Sequence, residues 1–312
     1  MQISDGSVNS LSSEWIHFED YELKENEKGE LFICPTGDSK VVVYKVFDVI
    51  NEIVPEILNI GRFLWNDRLN FGDKTPFYNM ILEFVRKYGL LGQMNYFPYN
   101  NDDYIFRNKV YLPDEHNIDG KTALSANEYI DTFIPFTSKD EFHYDISDTT
   151  AQVSHRPEHS TELALEKDSR FTIIFSRFYC EKMDWFVKYA KWLYRDYFFI
   201  KSYYNPDRKE TQAFYKNGLS NYTVKGIRLG LELNEYPTII WDFSSLRSAI
   251  DMMFGFLMGN KSQTLKSCKH DDVIFYAKNP KSLFCSERCR NQYNVYKSRR
   301  KASENTDKPP TN

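Results

Sequence analysis

The sequence predicts an α+β protein: a mostly helical, aromatic-rich body with small β-hairpins, followed by a C-terminal treble-clef-like zinc finger. Three observations predict it. Apolar residues recur at three- and four-residue steps over several long stretches, the period of a helix with one buried face. Short runs rich in Val, Ile and Leu, bounded by Pro, Gly, Asn or Asp, interrupt those stretches as strands and turns do. Three of the five cysteines fall between Cys268 and Cys289, beside the densest basic run of the chain.

With 312 residues, 41% hydrophobic and 27% charged, the chain can bury a core without disulfide staples. Its 24 Phe, 22 Tyr and 5 Trp exceed what a core needs and place some rings at surfaces or between layers. The net charge of −4 conceals an asymmetry: residues 261–301 hold 11 Lys and Arg against 3 Asp and Glu, whereas residues 1–260 hold 28 against 39. An acidic body carries a basic end. The start, MQISDGSVNSLSSEW, lacks the basic and apolar regions of a signal peptide, and no run approaches the roughly 20 apolar residues that span a bilayer, so a cytoplasmic protein is expected. In a reducing compartment Cys34 and Cys180, set in plain segments, read as free thiols.

Residues 1–30 read as a polar N-terminal segment and 31–262 as the globular body. LFICP at 31–35 and KVVVYKVF at 40–47 have strand composition and flank a turn at Pro35, Thr36, Gly37 and Asp38. Over 48–66, Ile50, Ile53, Val54, Ile57, Leu58, Phe63 and Leu64 recur at helical spacing, with Pro55 and Gly61 as expected kinks or breaks. Thr75 and Pro76 suit a helix start, and Gly89 suits the left-handed residue that stops it. Residues 93–158 read mainly as loops, with a short helix near 123–133. An aromatic stripe through Phe171, Phe175, Phe178, Trp185, Tyr189, Trp192 and Tyr197 predicts a helical region over 161–203 in two parts, its rings in the core. Alternation over 227–233 and the run 238–242, joined by Asn234 to Pro237, predict a hairpin. Ser244 or Ser245 then caps a helix that Gly259 ends.

No GxGxxG, phosphate-loop lysine, HExxH or GxSxG motif occurs, which argues against a familiar nucleotide-dependent or hydrolytic enzyme. The chemistry readable in the chain lies in the basic module over 263–301. Cys285 and Cys289, four apart at the start of a helical segment, share a face and reach one ion. Cys268 lies upstream, and the segments 273–276 and 282–284 read as a small hairpin about the turn at Lys278, Asn279, Pro280 and Lys281. The fourth ligand is open between two residues: Asp271 has the register of the expected Cys-x-x-Cys knuckle, whereas His270 has the more usual zinc chemistry one residue early. Four protein ligands leave no position for substrate, so the zinc ion is expected to be structural; the alternatives are a degenerate finger that packs without tightly bound metal, and reactive thiols.

Beyond Cys289 the helix presents two cationic stripes. Arg290, Asn294, Lys297 and Lys301 form one, and Arg288, Gln292, Val295 and Arg299 the other, while Cys289, Tyr293, Tyr296 and Arg300 face the metal. Lys and Arg contact phosphates, and Asn, Gln or Arg read base edges, so DNA or RNA is a candidate partner. A solvated basic helix and a helix that docks an acidic protein surface are the alternatives. A third reading is an enzyme in the body that draws on His143, His155 or His159. Residues 302–312, polar and Pro-containing, read as a disordered tail.

Cys-Lys-His at 268–270 with FCSERCRNQYNVYKSRRK at 284–301 resembles the zinc-finger end of a group of uncharacterised bacterial proteins, in which Cys-Lys-His-Cys precedes FCS-x-x-CRN-x-YNVYKSR. Tyr88-Gly-Leu-Leu-Gly92 in the body also resembles that group. More distantly, the architecture is similar to the CGNR zinc-finger proteins, with their stress-response-regulator-like N-terminal domain. The resemblance implies a transcription-regulator-like protein whose finger binds DNA, with Cys268, Cys285 and Cys289 as ligands. Asp271 departs from the pattern, since it stands where a cysteine is expected.

Overall fold

The computed structural model of the chain describes residues 14–66, 75–94, 110–111, 123–136, 174–219, 222–233, 236–260 and 264–306. The first described residues lie inside the stretch read as a polar segment. Strands β1 (Glu14–Phe18) and β2 (Tyr21–Glu25) bury Trp15, Ile16, Phe18 and Tyr21. Composition diluted these few large side chains among Glu, Asp and Lys, but a strand needs only its inward positions to be apolar.

β3 (Leu31–Pro35) and β4 (Val41–Lys45) follow, and they do not pair with each other across their turn. β1 pairs antiparallel with β4, while β3 lies between β2 and a distant strand. The β1–β2 and β3–β4 connections run side by side, tied by Glu19 N–H to Lys40 O at 2.9 Å and Thr36 N–H to Asp20 O at 3.1 Å.

Helix α1 (Ile50–Asn66) runs through both Pro55 and Gly61 without a break. Gly61 is there for packing: a Cβ at that position would lie 2.1 Å from the carbonyl oxygen of Ala190, on the helix that crosses α1. Helix α2 (Thr75–Tyr88) ends as expected at Gly89, whose φ is 87° and whose N–H donates to Val85 O at 2.7 Å. The short pair β5 (Val110–Tyr111) and β6 (Ala123–Leu124) precedes α3 (Ala126–Phe133). Ser125 and Glu128 exchange side-chain to backbone hydrogen bonds at the start of α3, a capping box.

The aromatic stripe expected over 161–203 divides. Residues 161–173, Phe171 among them, lie outside the described residues; Ile174 is helical, 175–178 turn, β7 (Glu181–Lys182) adds to β3, and α4 (Met183–Tyr203) follows. Phe175 is nevertheless buried, edge-on to Trp15 at 4.9 Å. Antiparallel pairing of β3 with β7 also brings Cys34 and Cys180 together with Phe32 in a small buried cluster of free thiols.

Glu181 explains the body motif at 88–92. Its fully buried carboxylate accepts Leu91 N–H at 2.9 Å, Gln93 N–H at 3.0 Å and the Tyr179 hydroxyl at 2.7 Å. Burial pushes the Glu181 carboxyl above its ordinary range, and the bonds from Tyr179 and the amides pull the other way. Gly92, at φ 71°, leaves room for the Trp15 ring, which a Cβ would approach to 2.8 Å. The stretch resembling the bacterial group is therefore a structural junction.

After α4 come α5 (Gln212–Leu219), the hairpin β8 (Ile227–Leu233) and β9 (Pro237–Phe243), and α6 (Leu246–Gly259). Ser245, one of the two expected caps, accepts Ser248 N–H at 3.0 Å. Helices α1, α2, α4 and α6 enclose one continuous apolar core from Trp15 to Leu257. No described helix is long and apolar enough to cross a membrane.

Candidate metal centre and basic helix

The C-terminal segment is built from β10 (Leu265–Ser267), β11 (Ile274–Tyr276) and α7 (Glu287–Thr306). β11 was expected to pair with residues 282–284. It pairs instead with β10, in the register Leu265 to Tyr276, Lys266 to Phe275 and Ser267 to Ile274. The 282–284 stretch forms no strand, and Leu283 O only accepts Lys269 N–H at 2.9 Å. Leu265 and Ile274 are buried in the body's core, which gives β10 an anchor that 282–284 lacks.

The β10–β11 pairing places Cys268 and Asp271 in the tight turn of the hairpin. Cys268 N–H donates to Val273 O at 2.8 Å, and Asp272 N–H donates back to Cys268 O at 3.0 Å. Asp272 takes the left-handed conformation, with φ 59°, that lets the chain reverse there. Asp271 Oδ1 accepts Val273 N–H at 3.2 Å, and its Oδ2 lies 3.2 Å from Cys289 Sγ.

The other half of the cluster comes from the start of α7. Ser286 Oγ accepts Cys289 N–H at 3.2 Å, as an N-cap does, and fixes Cys289 in the first turn. Cys285 Sγ and Cys289 Sγ are 3.4 Å apart. Ligand atoms of Cys268, Asp271, Cys285 and Cys289 all lie within 4.8 Å of one another, close enough to hold a metal ion. Cys268 and Cys289 are buried, Cys285 is half-buried and Asp271 is exposed.

Electrostatics at the cluster follow from this crowding. Burial, together with hydrogen bonding to Cys289 and Cys268, pushes the Cys285 thiol up to about 12. Burial opposes ionisation of Asp271, but bonds from Cys268 and Cys289 outweigh it and hold the carboxyl below its ordinary value. Sulfur atoms this close repel once ionised, so a bound cation is the natural counter-charge.

His270 lies outside the cluster. Its Nε2 is hydrogen-bonded to Gln292 Oε1 at 3.0 Å, and its ring stacks on Tyr296 with centroids 5.8 Å apart and planes at 22°. The choice left open between Asp271 and His270 thus divides by role: Asp271 joins the sulfurs, and His270 braces the hairpin turn against α7.

The segment read as a separate module is docked on the body. Asn59 of α1 acts as an extra strand edge: its Nδ2 donates to Ile274 O at 2.8 Å and its Oδ1 accepts Ile274 N–H at 2.8 Å. Arg62 Nη1 reaches Asp271 O at 3.3 Å, and the Tyr197 hydroxyl bonds Ser267 Oγ at 3.0 Å. Sequence reasoning missed Asn59. A lone polar residue on an amphipathic helix carries no periodic signal, and its partner is 215 positions away.

Along α7, Arg288, Arg290, Asn294, Lys297 and Arg299 are exposed, while Lys301 lies on the same helix with its side chain outside the described ones. Arg290 pairs weakly with Glu287 at 3.6 Å. Tyr293 packs on Phe284 at 5.3 Å, but Tyr296, expected to face the metal, is 58% exposed beyond the His270 ring. The helix continues to Thr306, so the first part of the expected disordered tail is helical. His143, His155 and His159, on which an enzymatic reading of the body rested, lie outside the described residues.

No family model, curated protein or solved structure matches this chain. The resemblance to the bacterial finger-bearing group and to CGNR proteins accordingly rests on the motifs themselves.

Proposed function

We propose that the protein is a transcription-regulator-like nucleic-acid-binding protein whose C-terminal module is a treble-clef-like finger ordered by structural zinc. One observation carries the reading: Cys268, Asp271, Cys285 and Cys289 converge at the foot of a helix whose exposed side chains are Arg288, Arg290, Asn294, Lys297 and Arg299. Three sulfur donors and one carboxylate suit zinc better than magnesium or calcium, which take oxygen ligands. With four protein donors the ion has a structural role and supplies no catalysis. Its part is to clamp the hairpin turn to the start of α7.

The proposed contact surface is the helix. Lys297 and the exposed arginines neutralise phosphates, and Asn294 sits between Arg290 and Lys297 at the spacing of one helical stripe, where an amide can reach a base edge. Acidic residues dominate the body, so the basic face directs nucleic acid to this end of the molecule.

Metal analysis of the purified protein is expected to give zinc near one per chain, lost in Cys285→Ser and weakened in Asp271→Ala. Binding to DNA or RNA, measured by fluorescence anisotropy, should fall steeply with salt. The triple replacement Arg290→Ala, Lys297→Ala, Arg299→Ala should flatten the salt dependence by up to about 0.9 log unit per lost phosphate contact. Salt-insensitive binding, or a triple variant that binds like the parent, would overturn the proposal.

A further inference from the structure

Tyr296 stands out on α7. Most neighbours on this part of the helix are polar or charged, yet it exposes 58% of a large ring, with Val295 48% exposed beside it. A tyrosine that merely filled a gap against the hairpin would be covered. This one is laid against His270 at a shallow angle of 22°, and His270 is itself held by Gln292. The two rings form a braced platform with part of its area open to solvent. Exposed cations border it on both elements: Lys269 next to His270, and Lys297 and Arg299 along the helix.

Resting on the nucleic-acid reading above, we infer that this platform takes an unpaired base, so that the preferred partner is single-stranded DNA or RNA. Access to a base face decides between duplex and single strand. Inside a duplex both faces of every base are already stacked, and only edges are offered in the grooves; a flat aromatic surface finds nothing to stack on. In a single strand each base has a free face, and aromatic side chains bordered by Lys and Arg are the recurrent solution for holding it. His270 supplies the rigidity. Its place between Cys268 and Asp271 ties its backbone to the metal-ligating turn, and Gln292 fixes its ring, so Tyr296 presents one orientation with little conformational entropy left to lose.

The test compares a fluorescein-labelled oligothymidylate with a duplex of matched length in anisotropy titrations of the intact, metal-loaded protein at one salt concentration. The parent is expected to bind the single strand more tightly. Tyr296→Ala and Tyr296→Leu should each weaken single-strand binding about 5- to 150-fold, leave duplex binding unchanged and retain metal, whereas Tyr296→Phe should bind like the parent. Parent-like single-strand binding in Tyr296→Ala, alongside loss in the Arg290, Lys297, Arg299 triple variant, would remove the stacking inference and leave phosphate binding intact. Retention in Tyr296→Leu alone would assign the effect to apolar bulk and overturn it equally. Preference for duplex overturns it too, and failure of the parent to bind either probe overturns the underlying nucleic-acid reading with it.

Discussion

The body and the C-terminal module solve the problem of staying folded in opposite ways. In the body a single apolar core runs from Trp15 to Leu257, and the carboxylate buried within it, Glu181, has its hydrogen bonds met internally. After residue 260 the buried described residues are only Thr264, Leu265, Cys268, Ile274, Ala277 and Cys289. Two of these six are candidate metal ligands, and two others belong to the body's core. What remains cannot offset the entropy of ordering some forty residues. The module therefore leans on two external supports, the cluster that could hold a metal on one side and α1 on the other. A body built on packing can carry an appendage whose order is conditional.

The largest expected effect strikes the module alone. Structural zinc in small fingers contributes roughly 10–16 kcal/mol of apparent binding free energy, so with zinc held as proposed, Cys289→Ser or a strong chelator should abolish hydrogen-exchange protection in β10, β11 and the first turns of α7. Amides of α1 and α4 should keep theirs. Equal loss of protection in α4 would show that the contrast between the two regions is wrong.

The converse experiment perturbs the body. Glu181→Leu removes the acceptor for two buried N–H groups and the Tyr179 hydroxyl. At about 1–3 kcal/mol for each buried donor left unmet, the body's urea midpoint should fall severely. Metal content of the folded fraction should not change, since Glu181 and the cluster share no contact. Loss of metal in folded Glu181→Leu would mean that the core and the metal site are coupled more tightly than their packing indicates.

Elements whose signal is local were legible in the sequence. The left-handed glycine after α2, the serine cap of α6, the β8–β9 hairpin and the four-residue spacing of Cys285 and Cys289 each depend on residues within one turn or one hairpin. What could not be read depends on distance along the chain. β3 finds part of its partner at Glu181 and Lys182, and β11 pairs upstream because Leu265 and Ile274 have a core to enter. Gly61 looked like a helix break because the backbone of Ala190 that requires it is 129 positions later. The ambiguity between His270 and Asp271 has the same origin. Both donors sit in a turn whose reversal at Asp272 decides which one meets the sulfurs, and neither identity nor spacing encodes that reversal.

A smaller effect tests the second support. Asn59→Ala leaves both the N–H and the C=O of Ile274 without their partner, and Ile274 is 1% exposed, so water cannot easily replace it. The expected cost is about 1–3 kcal/mol, read as faster exchange in β10 and β11 with the metal still bound. If exchange is unchanged, the metal alone orders the hairpin and α1 is only a neighbour.

Tyr197→Phe should have the smallest effect, because it removes one hydroxyl bond to Ser267 and keeps the buried ring. A net loss of about 0.5–1.5 kcal/mol is expected. Its value lies in combination with Asn59→Ala. Asn59 holds β11 and Tyr197 holds the end of β10, and the two strands are hydrogen-bonded to each other. If the hairpin docks as one rigid unit, the second lost tie costs less once the first has gone, because the hairpin has already lifted. A double-mutant cycle on β10–β11 protection should then show a coupling above about 0.5 kcal/mol. Strict additivity would instead mean that each strand is held to the body separately, and that the metal, not the docking surface, makes the module a unit.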